Sequence, residues 1–307
     1  MTMSSDEHLD IALEEYNDKV SRLEAEGPVS ELLEALINRG TILLMMESTI
    51  SALSDFDEAI DIIEDEEREG RRIDPGLYIR AHEGRGNLLF DGDQVGMLED
   101  YRKVAARLPE LVPGRGYFDA KGIAEMCIGV ADDLLNTGKF HDAEPFLSKT
   151  LDVLEGRIGD WEDNRRADAY SYLANVYERT GQPQKAVDAY GRAIDIDRYL
   201  ADHHLIDDYR RLVMSLYNRA ELRSDMGDDE GYLKDFMDAT NYLEITIENG
   251  QSEERELLVG MCQAIASALV DKGKVPESER YLMKAMKYGM PNVDRAMSQL
   301  GIRKPSE

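Results

Sequence analysis

Apolar positions along the chain recur at spacings of three and four, the period of an amphipathic helix, and Gly and Pro interrupt them. The pattern is clearest in residues 167–197. Tyr170, Leu173, Ala174 and Tyr177 share one helix face, Gly181 and Pro183 break the helix, and Ala186, Tyr190 and Ala193 form a second face. This predicts two short helices joined by a tight turn, crossing where the residues are small. Residues 6–26 read as a single amphipathic helix with Leu9, Ala12, Leu13, Tyr16, Val20 and Leu23 inward, stopped by Gly27-Pro28. At the other end, Pro291 is expected to start a last short helix through Met297 and Leu300.

The two-helix pattern returns six times. Small residues able to sit at a crossing point are Gly40, Gly86, Ala131, Ala174, Ala220 and Ala266, at spacings of 46, 45, 43, 46 and 46. Each is followed by an aromatic residue or Leu on a second helix: Phe56, Tyr101, Leu147, Tyr190, Phe236 and Leu282. Gly138, Gly181, Gly227 and Gly273 fall at the intervening turns, where a helix end needs φ > 0. Asn38-Arg39-Gly40 with Asp55-Phe56 reappears 180 residues later as Asn218-Arg219-Ala220 with Asp235-Phe236.

On these residues the chain resembles the tetratricopeptide repeat (TPR) family. The resemblance implies an all-α, right-handed α-α superhelix, a solenoid of about six repeats and about 14 helices. The repeats are expected at 30–69, 76–108, 118–156, 163–198, 206–249 and 253–289, with caps at 1–27 and 291–302, all within one continuous domain over 1–307. Caps are needed because an uncovered repeat exposes an apolar face. The period of about 45 exceeds the usual 34. The excess is expected in longer helices or in loops such as Gly70–Gly76, Pro109–Gly116 and Ala201–Asp208. Tyr232 stands where the pattern wants Ala, so packing in the fifth repeat is expected to be wider. The Pro that often closes a repeat is missing after Asp197.

Composition narrows the possible partners. The formal charge is −27, and residues 1–70 alone carry 20 acidic and 4 basic side chains, including Glu64-Asp65-Glu66-Glu67. Such a chain is not expected to bind nucleic acid or an anionic membrane. The acidic quarter reads either as a solvated face or as a docking surface for a basic partner, and it argues against self-association at that end, so a monomer is favoured. The start, MTMSSDEHLD, lacks the basic and apolar regions of a secretory signal. Cys127 and Cys262 hold equivalent inward positions three repeats apart, as small buried hydrophobes. Together these point to the reducing cytoplasm.

The chemistry of an enzyme is not apparent. His203-His204, near Asp202 and Asp207-Asp208, is the only cluster of metal-ligand types, and adjacent histidines on a helix point different ways. Gly114-Arg115-Gly116 lacks the strand and helix of a phosphate loop. No Ser or Cys nucleophile has a plausibly placed His in its own repeat, so neither catalysis nor a cofactor is expected.

In TPR proteins the first helices line the concave surface, and the resemblance carries that register onto Arg80, Glu83, Asn87, Asp132, Asp168, Asn175, Glu178, Tyr217, Glu221 and Asp225. Asn87 and Asn175 occupy a place where family members often use Asn to bond an extended ligand's backbone, a task suited to a carboxamide. Where chaperone-tail clamps carry Lys or Arg beside that Asn, this chain has Glu83 and Ser171. The expectation is therefore a scaffold or adaptor holding a Lys- or Arg-bearing peptide through Glu83, Asp132, Asp168, Glu221 and Asp225. The alternative is a sensor whose curvature changes on ligand binding and controls a transcription factor or kinase.

Overall fold

A computed structural model describes residues 5–206, 208–250 and 252–290. Among them the chain forms thirteen α-helices and no strand. It divides into two compact units, residues 1–156 and 157–307. The first contains α1 (Ser5–Glu26), α2 (Val29–Met45), α3 (Thr49–Arg68), α4 (Pro75–Leu89), α5 (Gln94–Arg107), α6 (Ala120–Asn136) and α7 (Phe140–Leu154). The second contains α8 (Asp160–Arg179), α9 (Pro183–Asp202), α10 (Arg210–Asp225), α11 (Asp229–Glu248), α12 (Arg255–Asp271) and α13 (Val275–Lys287). Helices α2 to α13 pair as six helix-turn-helix repeats, with α1 as an N-terminal cap. The C-terminal cap expected at 291–302 lies outside the described residues.

The small residues stand where the helices cross. All six are buried, and a Cβ on Gly86 would come within 2.5 Å of the Tyr101 ring, one on Gly40 within 3.1 Å of Phe56. A second close approach, at Gly84, packs the next repeat's first helix onto Phe56, where a Cβ would lie 2.4 Å from the ring. The turn glycines have φ of 73–79°. At Gly181 the amide donates to Glu178 O at 3.1 Å and the Gln182 amide to Tyr177 O at 2.7 Å. This is the paired closure that a left-handed residue makes possible. The first repeat has Glu47 in that place, at φ 57°.

The extra period lies in both helices and loops. With no Pro after Asp197, α9 continues to Asp202, so Ala201 and Asp202 are helical where a loop was expected. Gly76 likewise belongs to α4, whose first turn is set by Pro75 and by Asp74 accepting from the Gly76 amide at 2.7 Å. After α5 a single 3-10 turn (Leu108–Glu110), which takes in the first two residues of the expected 109–116 loop, leads into a loop that lies on α4. The ring of Tyr117 rests against Gly76 and under the Arg80 guanidinium, 5.6 Å from centroid to carbon.

The repeated Asn-Arg-small string proves to be an ion-pair motif. Arg39 makes a two-point contact with Asp55 (2.8 and 2.7 Å), and Arg219 does the same with Asp235 (2.8 and 2.6 Å). The second repeat has the same device in Arg85 and Asp100. His82 adds a bond of 2.7 Å to Asp100. In repeats three, four and six the same two places hold Val130 and Phe146, Leu173 and Ala189, and Ile265 and Tyr281.

Candidate functional site

In the first unit, α4 presents Arg80, Glu83 and Asn87 one turn apart, and α6 presents Asp132. Arg80 donates to Asn38 at 2.6 Å and carries Tyr117 on its face, so this end of the surface is already covered. Asn87 donates to Glu83 at 2.7 Å, and its carbonyl lies 2.7 Å from the Tyr101 hydroxyl. That hydroxyl is also 2.7 Å from Asp133, so one phenolic proton faces two acceptors. Burial pushes the carboxyls of Glu83 and Asp133 up from the ordinary carboxylate range. Asp132 accepts from its neighbour Asn136 at 3.2 Å. The cluster that the fold brings together is thus Glu83, Asn87, Tyr101 and Asp133. Sequence register picked Asp132 and missed Asp133, whose signal was its place one residue further round the helix.

In the second unit, Asp168 is occupied internally. Its two oxygens accept from Arg211 and Arg165, and Arg211 also grips buried Asp197. Asp168 therefore ties α8, α9 and α10 together rather than facing an open surface. Nothing in the spacing of Asp168 distinguished it from a free acid, because Arg211 lies 43 residues away. Asn175 hydrogen-bonds the Tyr190 phenol, which donates to Glu178 at 3.2 Å and accepts from Asn218 at 3.1 Å. The Asn expected at each site is thus braced from beneath by the second-helix Tyr of its own repeat.

Farther along α10, Tyr217 stacks on Phe236 with centroids 5.4 Å apart and planes at 21°. Tyr232 also leans on Phe236, with centroids 4.6 Å apart and planes at 44°. Glu221 and Asp225 follow Tyr217 at successive turns, are exposed, and form no ion pair among the described residues. Partial burial and the Asp225 charge push the Glu221 carboxyl up. Other acids are neutralised locally. In the acidic run of α3, Glu64 pairs with Lys103, Asp65 with Arg68, Glu66 with Arg71 and Glu67 with Arg107.

Among the described residues no group of three or more His, Cys, Asp or Glu could hold a metal ion. His203 follows the end of α9 and bonds Tyr199 O, and His204 adopts φ 56° at the turn. Cys127 and Cys262 are buried free thiols, and burial pushes Cys262 up to about 12. No helix among the described residues is long and apolar enough to cross a membrane.

These features define the class: a tetratricopeptide-repeat solenoid. A family model described as tetratricopeptide repeat matches residues 123–198, the third and fourth repeats. The fold is similar to the C-terminal part of a TPR repeat-containing protein from Cytophaga hutchinsonii (TM-score 0.55, 12% identity, covering 95% of this chain and 98% of that one). It is also similar to the apo form of RapI (TM-score 0.52, 13% identity, covering 95% and 79%). No curated protein matches the sequence. The TPR fold is in general a protein–protein interaction scaffold.

Proposed function

We propose that the chain is a non-enzymatic scaffold that holds an extended, Lys- or Arg-bearing segment of a protein partner on the first-helix surface of its second unit. One observation carries this reading. Glu221 and Asp225 stand exposed, one and two turns along α10 from Tyr217 and without an ion pair among the described residues, while Asp168 and the Glu64–Glu67 run have intramolecular cations. Unpaired surface carboxylates next to an aromatic platform complement a cationic side chain both by charge and by its apolar stem. Asn175 and Asn218, fixed by Tyr190, supply amide groups for the segment's backbone.

The test is fluorescence anisotropy with labelled ten-residue peptides of alternating Gly and Lys, and of Gly and Glu, at low and physiological salt. The basic peptide should bind, and binding should weaken steeply with salt. Replacing both acids (Glu221→Lys with Asp225→Lys) should lower its affinity about ten-fold or more, from roughly 1 kcal/mol per surface charge pair at close range. Equal binding of the two peptides, or an affinity indifferent to the charge reversal, would defeat the proposal.

A further inference from the structure

The residue four places before each second-helix aromatic or Leu packs into the crossing of its own repeat. Ala52, Met97, Ala143, Ala186 and Ser278 hold this place, and all are fully buried. The fifth repeat has Tyr232, whose ring does not fit such a crossing. It is only half-buried and has turned outward against Phe236. Beside it opens a cleft of about 400 Å³, between the end of α10, the start of α11 and the second half of α12. Its α12 wall is low, because Ala264, Ser267 and Ala268 are small.

The polar groups of this cleft are Asp229, Asp271, Lys272, Ser224, Ser267 and the Tyr232 hydroxyl. Asp271 lines it with no ion pair among the described residues, and Asp229 is balanced by Lys272 at 3.3 Å. Burial pushes the Tyr232 phenol up and the Glu221 charge adds to it, as burial and then the Asp225 charge push up the Glu221 carboxyl. Asp225 and Asp271 are the last residues of α10 and α12, the first helices of successive repeats. An aromatic face, a shallow methyl-lined wall and carboxylates without counter-ions match one kind of side chain, a cation on an apolar stem. A planar guanidinium stacks on a phenol ring and forks onto a carboxylate better than a compact ammonium.

We infer that the cleft opened by Tyr232 is a specificity pocket for a single arginine side chain of the bound segment. Its stem lies along Ala264 and Ala268, and its guanidinium sits between the Tyr232 ring, Asp271 and Glu221. The inference rests on the scaffold reading for its biological sense, but it is tested without a partner.

Nα-acetyl-arginine methylamide is titrated into the full chain and followed by the amide NMR signals of Ser267 and Lys272. The expected result is a saturable shift with a millimolar Kd, a weaker one for the lysine analogue, and none for the norleucine or glutamate analogues. Tyr232→Ala should abolish the shift. Because that change also touches Phe236, the pair Asp271→Asn with Glu221→Gln, both at exposed positions, is the second arm and should weaken binding about five-fold or more. Equal response to norleucine, no response to arginine at tens of millimolar, or indifference to the Asn/Gln pair overturns the inference. Failure of the Gly-Lys peptide alone to bind would count against the scaffold reading and leave the arginine pocket standing. Peptide binding without an arginine response would do the reverse.

Discussion

Removing the Asp235 carboxylate should damage the second unit far more than removing the whole ion pair. Asp235 is fully buried and accepts three guanidinium bonds, from Arg219 at 2.8 and 2.6 Å and from Arg223 at 2.8 Å. Arg219 is itself 9% exposed, so Asp235→Ala strands one buried charge and half-strands another. A buried pair broken on one side costs about 3–5 kcal/mol, since the remaining charge stays desolvated. The sixth repeat shows that the same two places accept Ile265 and Tyr281, and the fourth accepts Leu173 and Ala189. The double replacement Arg219→Leu with Asp235→Ala should therefore fall within about 1–2 kcal/mol of wild type, because desolvation is relieved together with the lost attraction. Arg223 retains Asp228 at 3.5 Å in that variant. Urea unfolding by circular dichroism, with native-state hydrogen exchange of the α10 and α11 amides, gives both numbers. A single variant costing under about 1 kcal/mol, or a double variant as unstable as the single, would refute the reasoning.

Three further outcomes follow from local geometry. Glu47→Gly should stabilise the first repeat by about 0.5–1 kcal/mol in thermal unfolding, since Glu47 holds the left-handed place filled elsewhere by Gly. Gly86→Ala should destabilise by about 1–3 kcal/mol through its collision with Tyr101, whereas Gly129→Ala, which meets nothing within 4 Å, should stabilise α6 by about 0.5–1 kcal/mol. For Glu83, burial raises the folded-state carboxyl above its ordinary value, so the folded state holds this proton more tightly than the unfolded chain. Its contribution is present below about pH 4.5 and lost as pH rises through the raised value. Glu83→Gln should thus match wild type in Tm in acid and exceed it increasingly from about pH 4.5 upward, and a constant difference would contradict the burial.

The sequence determined the stack itself. A 3.6-residue apolar period, a small residue at each crossing and a Gly at four of the turns are local demands of helix geometry, and they sufficed to pair α2 through α13 in order. Each second helix starts seven residues before its aromatic or Leu, so the register was readable from residue type alone. The tertiary structure decided which polar groups remain available. Asp168 and Asp225 look alike in sequence, but Arg211 packs from the next repeat onto the first and leaves the second open. The Asn-Arg-small string was visible as a repetition. Its meaning, a carboxylate held two-point by a guanidinium across the helix pair, needed the distance between chain segments 16 residues apart. Tyr232 was legible as an anomaly in the fifth repeat, and only packing showed that its ring turns outward to border a cleft. Pairing between charges depends on contacts made through space, which periodicity along one helix does not encode.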